Sequence, residues 1–154
     1  MKHLTMAVVG GCISFLCLVQ YYLSTKKRNT MGKKPSRKTI VKKLDRAVSL
    51  YIRKRDGYCV QCKSGENLTN GHIFTRTSYS TRWDTADDGN CHTQCWGCNY
   101  YHGTRDQWKY YSWYIGKFGM ERFEKLSRDH HTSVKYTTPQ LIEMLEEINE
   151  LLDD

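Results

Sequence analysis

Apolar residues recur at helical spacing in the first half of the chain. Residues 41 to 55 are typical of an amphipathic helix, because apolar side chains return every three or four positions and Lys or Arg fills most of the others. The dipeptide Asp56-Gly57 predicts the end of this helix. Its apolar positions are Val41, Leu44, Val48, Tyr51 and Ile52.

Three further patterns predict the elements that follow. Leu68 to Ile73 favours a short strand, and a last helix is predicted to begin at Thr137 or Thr138, with Pro139 in its first turn. A third helix is predicted between them, with a buried stripe of Trp108, Tyr111, Ile115 and Phe118. The apolar side of the last helix comprises Leu141, Met144, Leu145, Ile148, Leu151 and Leu152.

The segment from Leu4 to Leu23 carries no formal charge over twenty positions, enough to span roughly 30 Å of hydrocarbon as a helix. Lys26, Lys27 and Arg28 follow as a stop-transfer flank, and insertion would place the rest of the chain in the cytoplasm. The alternative is that Met31 is the true start of the protein. Both interpretations stay open from the sequence.

The formal net charge of +8 over 154 residues is concentrated in the front half. Residues 26 to 55 contain thirteen Lys or Arg, whereas residues 143 to 154 contain six acids and no basic residue. This distribution predicts a polyanionic partner, nucleic acid first and anionic lipid second, with a solubilising arm as the alternative. Phosphate contacts are predicted for Lys33, Lys34, Arg37 and Lys38.

Only 39% of the residues are apolar, so the hydrophobic core is expected to be modest. The cysteine spacing predicts a cross-link that stabilises this core. Two Cys-x-x-Cys pairs, Cys59 with Cys62 and Cys95 with Cys98, are separated by 32 residues, a spacing typical of a four-thiolate zinc site. Cys91 is an alternative ligand with a poorer spacing. A disulfide framework is the competing interpretation, and it would leave Cys91 as an odd thiol.

The residues around these pairs resemble the HNH, or His-Me finger, nucleases. His72 lies on the predicted strand, Asn90 precedes the second cysteine pair and Asn99 directly follows it. Over roughly residues 41 to 128 the sequence is similar to the NinG or Rap family of phage recombination nucleases. The runs that carry this similarity are Gly71-His72-Ile73, Thr81-Arg82-Trp83-Asp84, Asn90-x-His92-x-Gln94-Cys95-x-x-Cys98-Asn99 and Ile115-Gly116-Lys117-Phe118-Gly119-Met120-Glu121.

The resemblance implies an α+β fold with a small zinc-stapled ββα-metal, HNH-like core and flanking helices. Four segments are expected: a hydrophobic leader at 1–30, a basic arm at 31–43, the nuclease domain at 44–136 and an acidic amphipathic helix at 137–154. The implied location is the host cytoplasm, with a membrane tether facing the cytoplasm if the leader at residues 4–23 is translated.

The implied activity is that of a structure-specific endonuclease that cuts Holliday junctions and D-loops. A homodimer is expected, because a junction must be cut on two strands. Two alternatives remain open: a general HNH endonuclease acting on duplex DNA, and a zinc-dependent DNA-binding protein without activity.

The resemblance also assigns the hydrolytic chemistry. His72 is the expected general base, because a neutral imidazole accepts a proton near neutral pH. Asn99 and Asp84 are expected to hold a divalent cation, Mg²⁺ or alternatively Mn²⁺, and Asp87 or Asp88 can replace Asp84.

Supporting roles are expected for the remaining polar residues of this region. Asn90 is expected to brace the loop that holds His72, and His92 to be a further metal ligand or a phosphate contact. Arg76 and Arg82 are expected to contact phosphates. His102 is interpreted as a residue of a helix face.

Overall fold

In the computed structural model, which describes residues 34–153, the chain forms helices around one antiparallel hairpin. The elements are helix α1 (Arg37–Asp56), strands β1 (Leu68–His72) and β2 (Cys91–Cys95), and helices α2 (Trp96–Thr104), α3 (Trp108–Phe118), α4 (Met120–His131) and α5 (Thr138–Asp153). The expected α+β class is therefore confirmed. The hydrophobic leader and Lys33 lie outside the residues that the structure describes.

Helix α1 extends one turn further toward the N-terminus than the apolar pattern predicts, because Ser36 caps it. The Ser36 side chain accepts a hydrogen bond from the Thr39 backbone N–H. Gly57 ends the helix in a left-handed conformation with φ of 72°, and its N–H donates to the Arg53 carbonyl. The end predicted from Asp56-Gly57 is thus confirmed.

The hairpin places alternate residues on opposite faces. His72 pairs with Cys91 and Gly71 pairs with His92 across the two strands. Directly opposed residues share a face, so His72 and Cys91 point toward α1, whereas His92 points toward the aromatic rings of α3. Because α2 begins immediately after β2, its first turn stays next to the hairpin.

Two apolar cores hold the hairpin. One joins α1 and α5 with Trp83 and Cys91, and the other packs α3 and α4 against Val60 and Ile73. Helix α5 begins at Thr138 as predicted and packs against α1. Within the described part of the chain, no helix is long and apolar enough to cross a membrane.

The buried side of α3 differs from the predicted stripe. Tyr110 and Tyr114 are fully buried, whereas Trp108 is 64% exposed. Aromatic residues occupy most positions of this helix, so apolar spacing alone does not define which side faces the core. Contacts with Ile73 and Leu126 select the Tyr110 side.

Candidate active site

Four cysteines from the two pairs converge at one end of the hairpin. The Sγ atoms of Cys59, Cys62, Cys95 and Cys98 all lie within 4.8 Å of one another. The Sγ atoms of Cys62 and Cys95 are 3.6 Å apart, close to the spacing of about 3.8 Å that follows from Zn–S bonds of about 2.3 Å in a tetrahedron. This cluster can hold a zinc ion.

The local backbone favours the thiolate form of Cys59. Burial favours the neutral thiol of Cys59, but backbone N–H groups of Cys62, Cys95 and Gln61 outweigh it and lower its pKa to about 7. Cys91 does not belong to the cluster. It is fully buried on the α1 face of the hairpin, where burial raises its pKa to about 12.

His72 and Asn99 line one cavity, of about 390 Å³, between β1 and α2. His72 ends β1, and Asn99 lies in the first turn of α2, just after the last cysteine of the cluster. The strand, the cysteine cluster and the helix therefore bring together two residues that are 27 positions apart in the sequence. This opening is called the strand–helix cavity below.

The ring of His72 is held by the loop between the strands. Its Nε2 lies 3.2 Å from the Arg82 carbonyl oxygen. Since a carbonyl only accepts, Nε2 carries the proton and Nδ1 remains free to accept another. Burial, together with the nearby charges of Arg76 and Arg82, lowers the pKa of His72 to about 4, so the ring is neutral near pH 7.

Asp45 of α1 fixes the part of the loop that holds His72. Its carboxylate accepts two hydrogen bonds from the Arg82 guanidinium, at 2.9 and 2.7 Å, and one from the Trp83 indole N–H at 2.8 Å. Asp45 and His72 also line a second, smaller opening of about 120 Å³. No local sequence pattern indicates this role for Asp45, because its partners are 37 and 38 positions away.

Asn90 makes the contacts that bracing of this loop requires. Its Oδ1 accepts from the Phe74 N–H at 2.8 Å, and its Nδ2 donates to the carbonyls of Phe74 and Thr81 at 2.9 and 3.1 Å. The side chain is fully buried. These bonds close the loop that directly follows His72.

The amide of Asn99 has a defined orientation. The Thr69 hydroxyl donates its proton to the Gln94 carbonyl at 2.9 Å, and therefore accepts from Asn99 Nδ2 at 3.0 Å. This bond uses the amino group of Asn99 and leaves its Oδ1 as a free acceptor. A carbonyl oxygen is thus available at the strand–helix cavity.

Two further residues of this cavity have buried polar atoms without a hydrogen-bond partner. They are Asn70, with Oδ1, and His102, with Nδ1. His102 is only 8% exposed, and its ring packs edge-on against Tyr110. His102 lies on α2, and the face of the helix that carries it is turned toward the cavity and toward Tyr110 of α3.

The structure places Asp84 and His92 away from the strand–helix cavity. The Asp84 carboxylate accepts from the N–H groups of Ala86 and Asn90, both at 3.3 Å, and closes its own loop. His92 is buried, with Nε2 3.0 Å from the Gly89 carbonyl and Nδ1 3.3 Å from the Arg55 guanidinium. Both residues are engaged inside the protein.

Asp87 and Asp88, the alternatives to Asp84, also lie outside the lining of the strand–helix cavity. The carboxylate of Asp87 is 93% exposed, and that of Asp88 pairs with Arg122 at 2.6 Å. Among the residues that the structure describes, the cysteine cluster is the only group of three or more His, Cys, Asp or Glu side chains with metal-binding spacing.

The basic residues of the front half divide into free and engaged ones. Lys34 and Lys38 are exposed, whereas Arg37 donates to the Tyr136 carbonyl at 2.8 Å. Arg76 is exposed and lines the strand–helix cavity. All three nitrogens of Arg82 donate to Asp45 or to the Arg76 carbonyl, so three of its five N–H groups are engaged within the protein.

An exposed basic stripe on α1 leads to the site. Lys38, Lys42 and Arg46 are spaced four residues apart and share one face of the helix. Lys42 and Arg46 each lie three positions before a residue that lines the smaller opening with His72, namely Asp45 and Ser49. The sequence predicts a basic surface on this helix, but not that this surface leads toward His72.

Comparison with known proteins identifies one family. A family model described as Bacteriophage Lambda NinG protein matches residues 22–154. No curated protein and no solved structure matches the chain.

Proposed function

We propose that this chain, which belongs to the NinG family, is an endonuclease that hydrolyses phosphodiester bonds in branched DNA. The observation that carries the proposal is the cavity shared by His72 and Asn99 beside the four-cysteine cluster. The order of two strands and a helix, with a histidine at the end of the first strand, supports the proposal of an HNH-like ββα unit. The substrate class comes from the resemblance to the NinG or Rap nucleases.

In this proposal His72 removes the proton from the attacking water. The Arg82 carbonyl holds Nε2–H, so the lone pair of Nδ1 serves as the base. The lowered pKa keeps that lone pair available throughout the neutral range. Asn90 and the Asp45–Arg82 pair keep the loop, and hence the ring, in one orientation.

Zinc in the cysteine cluster supplies the rigidity of the site. Bound by the four thiolates, it would join the turn at Cys59 and Cys62 to the end of β2 and the start of α2. Loss of one cysteine ligand would free β2 and α2 from the turn. Asn99 would then lose its fixed position, because it lies in the first turn of α2. The metal is therefore structural, and its binding free energy is folding free energy.

A divalent cation at the strand–helix cavity is implied by the HNH class, where it neutralises charge on the phosphate. The free Oδ1 of Asn99 fits such a cation. Mg²⁺ itself does not fit the residues present, because it is usually held through carboxylates and none of the described residues lining this cavity is acidic. No catalytic step is therefore assigned to Mg²⁺.

DNA is proposed to reach the site along the basic stripe of α1. Lys38, Lys42 and Arg46 would contact the phosphates of a duplex arm, and Arg76 would contact phosphates next to the scissile bond. Because a junction requires two cuts, the working form is proposed to be a homodimer with one site for each strand.

Neutralising the stripe should weaken DNA binding and its dependence on salt. We expect the triple variant K38A/K42A/R46A to reduce the slope of log affinity against log salt by up to about 3 units, at roughly 0.9 per lost phosphate contact. The slope is measured from binding isotherms of a four-way junction and a duplex at several salt concentrations.

The matched control removes the same charge elsewhere, in K125A/R128A/K135A, whose positions on α4 and the following loop are equally exposed. Its slope should stay near wild type. Equal slopes in the two triple variants would exclude α1 as the DNA path.

Substrate preference distinguishes the proposal from its two alternatives. The full chain is incubated with labelled four-way junction, D-loop and linear duplex of the same sequence, with added divalent metal. Faster cutting of the branched substrates is expected. Equal cutting of linear duplex would indicate a general HNH endonuclease, and binding without any cutting would indicate a zinc-dependent DNA-binding protein.

A further inference from the structure

Helix α2 exposes three large aromatic side chains near its start. Trp96 is 62% exposed and Tyr100 is 53% exposed, and Tyr101 is exposed after them. Trp96 and Tyr100 are one helical turn apart and stack, with ring centroids 5.1 Å apart and an angle of 11° between the planes. Neither of the two described cores includes these rings. Exposed apolar patches commonly mark a binding surface, and the proposed function gives this one no role.

A groove of about 680 Å³ lies beside Trp96, and Leu68 and Thr69 of β1 also line it. The Trp96 N–H donates to the Asn67 carbonyl at 2.8 Å, which fixes the start of α2 against the residue before β1. Pockets for small ligands commonly measure about 300–1,000 Å³, so the groove has room for a flat ring system. This opening is called the aromatic groove below.

The aromatic groove adjoins the strand–helix cavity along both elements. On β1, Thr69 lines the groove and the next residue, Asn70, lines the cavity. On α2, Trp96 lines the groove and Asn99 lines the cavity, and residues three apart on a helix have Cβ atoms about 5–6 Å apart. A DNA strand whose phosphate lies in the cavity therefore has its neighbouring base within reach of Trp96.

Charge distinguishes the two openings. Glu66 is the only Asp, Glu, Lys or Arg among the described residues that line the groove, whereas Arg76 is exposed and lines the cavity. A carboxylate repels phosphate, so the groove favours an uncharged base and the cavity favours the DNA backbone. Ser64 and Asn67 supply hydroxyl and amide groups in the groove that can bond to the edge of a base.

We infer that the aromatic groove holds an unpaired nucleobase next to the scissile phosphate, stacked on the Trp96–Tyr100 pair. Because the two rings are nearly parallel, a flat base extends their stack. Stacking on aromatic side chains tolerates any sequence, since every base has a π-face. Paired bases are already stacked within the duplex, so the groove selects DNA with unpaired bases at a branch point. The inference rests on the proposed function for the position of the strand.

The test measures binding without cleavage, with the full, zinc-loaded chain and no added divalent metal. The probes are a forked duplex with two unpaired arms and a fully paired duplex of the same length, at one salt concentration. We expect the wild-type protein to bind the fork at least about tenfold more tightly than the duplex.

Loss of the two rings should remove this preference. W96A/Y100A should weaken fork binding by roughly tenfold or more and leave duplex binding within about twofold of wild type. W96F/Y100F keeps two aromatic rings and should keep most of the preference. A 2-aminopurine at the first unpaired position should emit less in the complex with wild type than with W96A/Y100A, because stacking quenches it.

The matched control is Y58A/W108A. It also removes one exposed Tyr and one exposed Trp, and neither Tyr58 nor Trp108 lines the groove or the cavity. Tyr58 precedes Cys59 and Trp96 follows Cys95, so each double variant changes one neighbour of a cluster cysteine. The control should keep the wild-type preference for the fork.

Thermal unfolding and zinc content identify a variant that has lost its fold. Y100A, which changes no direct neighbour of a cysteine, then decides in place of W96A/Y100A and should lower fork preference by roughly threefold or more. Wild-type fork preference in a folded W96A/Y100A or Y100A would overturn the inference, as would equal binding of fork and duplex by the wild-type protein.

Two further outcomes separate the inference from its alternatives. A W96A/Y100A protein that changes from dimer to monomer but keeps its fork preference would assign the aromatic face to a second copy of the chain and overturn the inference. Fork preference that depends on the two rings, in a protein that cuts no DNA, would support the groove and refute the nuclease proposal.

Discussion

Replacement of His72 by alanine should lower the rate of DNA cleavage by more than roughly a hundredfold, which is the usual effect of removing a general base. The Arg82 carbonyl holds the ring at Nε2 and leaves Nδ1 free. Among the described histidines, only His72 combines this hydrogen bond with a position in the cavity that Asn99 also lines. The rate is measured with saturating protein on a labelled four-way junction. DNA affinity and zinc content should stay near wild type.

The control for this variant is H131A, because His131 is exposed on α4 and bonds only to the Ser127 carbonyl of its own helix. It should cut normally. Cleavage by H72A within a few-fold of wild type would exclude His72 as the base and leave the shared cavity without its proposed chemistry.

The pH dependence of cleavage gives an independent check of the same role. The folded pKa of His72 is about 4, below the usual 6.5, so the neutral base persists as the pH falls from 8 to 5. The loss of rate caused by its protonation should therefore appear only as the pH approaches 4. A decline centred near pH 6.5 would indicate a solvent-exposed imidazole in its place.

Replacement of Cys62 or Cys98 by serine should remove zinc and unfold the domain. Structural zinc contributes apparent free energies of about 10–16 kcal/mol, as much as the whole stability of a typical domain, about 5–15 kcal/mol. Zinc content is measured by metal analysis and folding by circular dichroism. Both should be lost together.

Cys91 supplies the matched control, since its side chain faces α1 and not the cluster. We expect C91A to keep its zinc and to lose only the modest stability that a small core cavity costs. A folded, zinc-loaded C98S protein would show that the cluster is not the staple of this fold.

The elements that local pattern determines could be predicted from the sequence. Helix α5 begins where Pro139 indicates, and Gly57 ends α1, because caps and turns depend on a few neighbouring residues. The cysteine spacing also identified the four residues that cluster.

The parts of the site that depend on tertiary contacts could not be predicted. Arg82 and Asp84 look like ligands for phosphate and metal in a polar loop, but the structure pairs Arg82 with Asp45 and uses Asp84 to close the loop backbone. No local signal marks His102 or Asn70 as residues of one cavity. Both line the strand–helix cavity because α2, which follows the cysteine pair, packs beside β1.

The most direct measurement is cleavage of an end-labelled four-way junction fully bound by the zinc-loaded full chain, with Mn²⁺ or with EDTA. We expect cuts on opposing strands near the branch point with Mn²⁺, and none with EDTA. A junction that stays intact with Mn²⁺, Ni²⁺ and Mg²⁺ alike while fully bound would contradict the nuclease and indicate a protein that only binds DNA.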